Sequence, residues 1–330
     1  MSEAAQESWD SGGAYELWVG RWSRRVAQEF IDWLAISPGQ TWGDVGCGTG
    51  SLVECILGSS DPAGVLGVDR SEAYVSQARN SVGDSRVRYE VGDACALTWA
   101  PEFCDVTVSG LVLNFVPDAD AMAREMVRVT RPGGRVAAYV WDYAGGMQML
   151  RHFWDVALAL NPGDSKLDQA ERFPLCQPGP LQQLFQRVGL ISVSARAIDV
   201  PTVFRDFEDY WRPFLGKQGA APTYLASLPG ENQDRIREAL RARLVAAADG
   251  SIAMTARAWA VQGTVPPNQR FDRTRQSPRP AAPGAVAKDV GGPLHCLQSS
   301  LVSAPSTRAR ARLACGVYSL DASATFSTTA

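Results

Sequence analysis

Histidine is almost missing from this chain of 330 residues, which holds two, His152 and His295. The seven cysteines (Cys47, Cys55, Cys95, Cys104, Cys176, Cys296 and Cys315) form an odd set with no Cys-x-x-Cys pair. That pattern argues against a zinc site and a disulfide framework. It suits a reducing cytoplasm, with most thiols packed as small hydrophobes, and no metal site is expected. No apolar run approaches the roughly 20 residues of a membrane-crossing helix. Met1 to Glu7 is acidic and lacks the basic-then-apolar layout of a secretory signal. A net charge of −3 implies no global pull toward nucleic acid or membrane surfaces. What remains is 45% hydrophobic and 20% charged, the composition of an ordinary globular protein.

The ten tryptophans all fall between Trp9 and Trp259. Beyond about Pro267 the chain turns rich in Pro, Ala, Ser and Arg, without a sustained period of 2 or 3.6. Residues 268–330 carry eight basic side chains against three acids. Such a composition buries too little apolar surface to offset chain entropy, so 267–330 is expected to be a disordered tail. An abrupt loss of pattern is also what a shifted reading frame would produce.

Before that point, strand and helix patterns alternate. Arg24 to Leu34 reads as an amphipathic helix, with Val26, Phe30 and Leu34 on one face. Strands are expected at Gln40–Val45, Gly64–Asp69, Val87–Val91, Cys104–Ser109 and Arg135–Trp141, the last entered through Pro132-Gly133-Gly134. Helices are expected at Leu52–Leu57, Ser71–Asn80 and Ala119–Val129 between them. Further helices are expected at Pro180–Val188, Asp206–Arg212 and Asp234–Ala247, with strands at Ile191–Ile198 and Ser251–Val261. This alternation predicts an α/β domain over residues 1–266, a Rossmann-like, seven-stranded, mostly parallel sheet with helices on both faces. The stretch 145–180 is longer than a crossover needs and is expected to cap the site as a helical insert.

The chemistry is concentrated in Trp42-Gly43-Asp44-Val45-Gly46-Cys47-Gly48-Thr49-Gly50. An apolar strand running through alternate glycines into a helix lets a ligand lie against bare backbone. A dinucleotide fingerprint would want glycine at 46, 48 and 51, but position 51 is Ser51 and the third glycine is Gly50. Asp44 would repel a pyrophosphate and suits a ligand that carries an ammonium group. Asp69, with Arg70 beside it, ends the second strand 19 residues after Gly50. A carboxylate there can accept from both ribose hydroxyls; the alternative, capping the next helix, already falls to Ser71. Asp93 ends the third strand and can accept an adenine amino group while the Ala94 N–H meets a ring nitrogen. A simple Gly92-Asp93 turn is the competing reading.

Asp44-Val45-Gly46-Cys47-Gly48-Thr49-Gly50 resembles the first motif of the class I S-adenosylmethionine-dependent methyltransferases, and the likeness spans about residues 10–265. The resemblance implies S-adenosylmethionine as cofactor and in-line methyl transfer to a small molecule. It implies that Ser109 and Leu111, at the end of the fourth strand, face the methionine part. Tyr15 and Arg21 match an N-terminal aromatic helix that folds over the cofactor in similar quinone-precursor methyltransferases. Arg21 would then pair the methionine carboxylate, although a solvated arginine fits the same sequence.

The acceptor is less defined. Asp142 and Tyr143, just past the fifth strand, lie nearest the expected methyl position. His152 is the first candidate for a general base, although Gln148 and Asp155 place it on the polar side of its helix. Asn114-Phe115-Val116-Pro117 stands where an Asn-Pro-Pro-Tyr run would mark amino-group methylation of bases or glutamine. The aromatics between Gly145 and Phe214 favour an apolar or aromatic small molecule over protein or nucleic acid. Two other readings stay open, an NAD(P)-dependent oxidoreductase and a non-catalytic S-adenosylmethionine-binding protein. The oligomeric state is not legible.

Overall fold

The computed structural model describes residues 20–216 and 219–267, with the side chain of Arg21 left out. Helix α1 (Arg21–Leu34) comes first. Its stripe of Val26, Phe30 and Leu34 is buried, and Phe30 packs its ring 4.7 Å from that of Tyr139. Then β1 (Thr41–Val45), α2 (Ser51–Ser60), β2 (Gly64–Asp69), α3 (Glu72–Ser81) and β3 (Val87–Val91) follow in strict alternation. Ser71 caps α3 by accepting from the Tyr74 N–H at 3.3 Å, which satisfies one orphan donor of its first turn. β4 (Cys104–Gly110), α4 (Ala119–Val129) and β5 (Thr130–Trp141) complete the parallel part.

The later chain supplies further helices and the antiparallel edge. These are α5 (Gln148–Leu160), the short α6 (Gln169–Arg172), α7 (Pro178–Arg187), β6 (Ile191–Phe204), α8 (Phe207–Trp211), α9 (Ala220–Ser227), α10 (Gly230–Arg243) and β7 (Ile252–Thr264).

The seven strands are ordered β3-β2-β1-β4-β5-β7-β6. β1 pairs in parallel with both β2 and β4, and β7 runs antiparallel to β5 and β6. The expected seven-stranded, mostly parallel sheet is therefore present. Strand order reverses between β1 and β4. A crevice at their carboxyl ends is where open α/β sheets take their ligands.

Two strands are longer than their sequence patterns suggest. β6 runs to Phe204 and β7 to Thr264, because the pair hydrogen-bond to one another from Ile191 to Phe204. In β6 the alternation of buried and exposed residues runs unbroken from Ile198 to Phe204, through Pro201. α9 was not anticipated. Ala220, Ala221, Pro222, Tyr224 and Leu225 are all buried, so the helix lacks the polar face that would reveal it. Its proline sits in the first turn, where the missing N–H costs nothing. The tail expected at 267–330 lies, from residue 268, outside the described residues.

Candidate active site

A cavity of about 840 Å³ opens at the strand-order reversal. Each parallel strand delivers residues to it at its carboxyl end. β1 brings Asp44, Gly46, Cys47 and Gly48; β2 brings Asp69 and Arg70; β3 brings Asp93 and Ala94. β4 brings Leu111, and β5 brings Tyr143. Ser23 and Ala27, four apart on α1, form a small-residue face over the same space.

The glycine loop is fixed by geometry. Gly46 has φ +80°, and a Cβ there would fall 2.6 Å from the Val112 side chain. Gly50 has φ +94° at the start of α2, and a Cβ would fall 2.8 Å from Tyr89 Oη. Gly50 therefore does not line the cavity; it lets the chain turn into the helix while Tyr89 packs beneath. The loop is also braced across the sheet. Asp69 Oδ2 accepts from the Gly48 N–H and Oδ1 from the Ser71 N–H, both at 2.9 Å. Each oxygen retains a second lone pair for a ligand hydroxyl. Asp93 is exposed, and its Oδ1 accepts from the Cys95 N–H at 2.8 Å in a tight turn.

Asp44 differs from both. It is 1% exposed, and neither carboxyl oxygen has a hydrogen-bond partner. Burial, reinforced by the nearby charge of Asp69, pushes its pKa up to about 8. A buried carboxyl with two orphaned oxygens facing a cavity is stabilised by an incoming cation. An α-ammonium group supplies that cation, so the residues present fit S-adenosylmethionine. The thiol of Cys47 is pushed upward by burial and the same acids, so it stays neutral.

Four of the residues singled out from sequence do not line the cavity. Gly50 is one. Ser109 is fully buried within β4. Leu111, two residues on, reaches the cavity with φ +63° while its N–H donates to the Tyr139 carbonyl at 2.8 Å. Asp142 faces elsewhere: its Oδ1 accepts from the Gly145 N–H at 3.1 Å, and it borders a separate hollow of about 300 Å³ with Asp199 and Arg257. His152 is half-buried, and its Nδ1 accepts from Arg243 Nε at 3.1 Å. Burial and the Arg243 charge hold its pKa below the ordinary value. Tyr15 lies outside the described residues, and nothing is described of the Arg21 side chain.

The end of the cavity away from the glycine loop was only partly legible. Phe115, Tyr143 and Phe173 form a wall: Phe115 meets Phe173 edge-on at 5.1 Å, and Tyr143 lies 5.6 Å from Phe173. Arg172 sits with its guanidinium carbon 5.1 Å from the Phe173 ring centre. Asn114 and Gln169 add carboxamides. Of the aromatics and methionines in the insert, Met147, Met149, Phe153 and Trp154 are instead core. Nothing in their spacing separates the two groups, because the split is decided by how α5 packs against α9 and α10.

The sequence description of a methyltransferase domain matches residues 43–138. Methyltransferase GfsG of Streptomyces halstedii is 30% identical over 208 residues, covering 60% of this chain and 71% of that protein. The 2-phytyl-1,4-naphtoquinone methyltransferase of Synechococcus elongatus is 32% identical over 155 residues, covering 45% of this chain and 62% of that protein. An arsenite methyltransferase of Halobacterium salinarum is 36% identical over 109 residues, 31% of this chain and 27% of that protein. The chain thus spans less than two thirds of the length of these last two relatives. A solved Bacillus halodurans structure superposes with a TM-score of 0.50 at 15% identity, covering 73% of this chain and 98% of that one, a likeness of fold. The glycine loop, the acids at successive strand ends and these relatives define a class: the chain belongs to the class I S-adenosylmethionine-dependent methyltransferases. S-adenosylmethionine is the cofactor of that class. Among the described residues no helix is long and apolar enough to cross a membrane.

Proposed function

We propose that this protein transfers the methyl group of S-adenosylmethionine, in line, to a small molecule with an apolar or aromatic body. The observation that carries this reading is the pairing, in one cavity, of an orphaned buried carboxyl at Asp44 with an aromatic wall at Phe115, Tyr143 and Phe173. In this reading Asp44 holds the ammonium group of the cofactor. Asp69 takes the ribose hydroxyls while it braces the loop, and Asp93 with the Ala94 N–H takes the adenine edge. Leu111 borders the methionine part.

When bound, S-adenosylmethionine supplies a methyl already activated on a sulfonium. The chain's own work is then alignment and exclusion of water, which together can remove roughly 7–11 kcal/mol of barrier. Ser23 and Ala27 close one side, and the aromatic wall closes the other. Tyr143 is the one acceptor-side candidate of the sequence reading that borders the cavity, so it is the residue to test for contact with the acceptor. Asp142 and His152 do not border the cavity, and in this reading their roles are structural.

Residues 1–266 are proposed to carry the whole reaction, with the insert at 145–180 as the acceptor-side cap. The 2-phytyl-1,4-naphtoquinone and 2-methyl-6-phytyl-1,4-hydroquinone methyltransferases among the relatives support a small-molecule acceptor for this chain. Calorimetric titration with S-adenosylmethionine and S-adenosylhomocysteine, followed by labelled methyl transfer across a panel of hydroxylated aromatics, tests the reading. Binding of both nucleosides with transfer to at least one aromatic is expected. Tight binding of NAD(P) in their place would overturn it.

A further inference from the structure

The acceptor end of the cavity contains a carboxamide whose hydrogen bonding is half used. Gln169 opens α6, is 3% exposed, and borders the cavity. Trp154 Nε1 donates to its Oε1 at 3.2 Å. An indole N–H has no lone pair to offer, so the amide can face it only with its oxygen. Nε2 is therefore turned away from Trp154, and it donates to no other described residue.

The backbone beneath this side chain is pinned as well. Asp168 caps α6 by accepting from the Ala170 N–H at 2.9 Å. Arg151 holds Asp168 through Nη2 at 2.7 Å, and Asp155 through Nε at 2.7 Å. The carboxamide is thus held in one orientation before any ligand arrives. Preorientation lowers the entropy lost on binding.

We propose that Gln169 selects the methyl acceptor by donating its Nε2–H to a carbonyl or hydroxyl oxygen on the acceptor's ring. The proposal rests on the reading that this end of the cavity takes a ring-bearing acceptor. It names the polar feature that such a ring must carry. The carboxamide stays neutral across the working pH range, so it aligns the acceptor and removes no proton. Trp154 is a positioning residue, because it acts only by setting which way the amide faces. A site built to hydrogen-bond an oxygen rejects the analogue that lacks it, since the buried donor is then left unpaired.

The test is calorimetric titration of the S-adenosylhomocysteine-saturated protein with 1-indanone, which offers one carbonyl oxygen, and with indane, the same ring without it. The wild type is expected to bind 1-indanone about tenfold more tightly. Gln169→Leu should abolish the difference while leaving indane and S-adenosylhomocysteine affinities within about twofold. Gln169→Glu keeps the size and the Trp154 contact but turns an acceptor toward the carbonyl. It should remove or invert the preference, and it carries the decision if the leucine variant fails to fold. Equal wild-type affinity for the two rings, or a preference unchanged in both variants, overturns the proposal and leaves the ring-acceptor reading standing. If neither ring binds a protein that still binds S-adenosylhomocysteine, the ring-acceptor reading falls and this proposal falls with it.

Discussion

The two ends of the cavity are built in different ways. The cofactor end comes from the carboxyl ends of β1, β2 and β3, through backbone and acids placed at short, regular spacings. The proposed acceptor end comes from side chains on α5, α6 and the segment after β4, which meet only when the fold closes. A ligand common to a whole class is met by the part of the fold that the class shares. A ligand particular to one protein is met by an insert, where packing decides which aromatic lines the cavity and which fills the core.

That contrast predicts a hierarchy of effects. Asp44→Asn should weaken S-adenosylhomocysteine binding most, by about 100-fold, because it removes one partner of a buried charge pair. The variant should fold as well as the parent, since asparagine resembles the protonated carboxyl. Asp69→Ala should come next. Losing the acceptor for the Gly48 and Ser71 N–H groups should cost about tenfold in affinity, and about 1–2 kcal/mol of stability by denaturant unfolding. Phe173→Ala should leave S-adenosylhomocysteine binding unchanged and raise the acceptor KM several-fold, about 0.5–1.5 kcal/mol of lost ring contact. An equal loss at both ends in this variant would break the division between them. The smallest effect belongs to His152→Gln, expected within about twofold of wild-type kcat across pH 6–9 because Arg243 already occupies its Nδ1. A hundredfold loss there would restore His152 as a catalytic base.

Asp44, Gly46, Gly48, Asp69 and Asp93, singled out from the sequence, all border the cavity, because alternate glycines and strand-end acids each have a local physical reason. Gly50 and Ser109 are the exceptions: Gly50 makes room for Tyr89 at a helix start, and Ser109 is buried within β4. Tyr89 lies 39 positions away in the chain, so no local pattern could reveal that contact. At the proposed acceptor end, the stretch 145–180 stood out in the sequence as longer than a crossover needs, but Gln169 did not stand out. Its significance depends on Trp154, and that pairing exists only once α5 and α6 are packed together. The same holds for Asp142. Its position after β5 pointed to the site, while its hydrogen bond to the Gly145 N–H turns it aside.

The raised pKa of Asp44 carries a sign that can be checked on the free protein. Its folded value, about 8, lies above the ordinary 3.8, so the folded state binds the extra proton between them. Stability is therefore greatest below about pH 4 on this group's account, falls as pH rises toward 8, and is flat beyond. Asp44→Asn should flatten that slope.

The most direct measurement is the affinity of S-adenosylhomocysteine for the wild type and for Asp44→Asn, each titrated calorimetrically at pH 6 and at pH 8. The wild type should bind more tightly at pH 8 and release a proton on binding at pH 6, because Asp44 must ionise to meet the ammonium group. The variant should bind weakly at both values with no such proton release. A variant that binds as tightly as the wild type, with the same pH dependence, would contradict the assignment of Asp44 as the anchor of the cofactor.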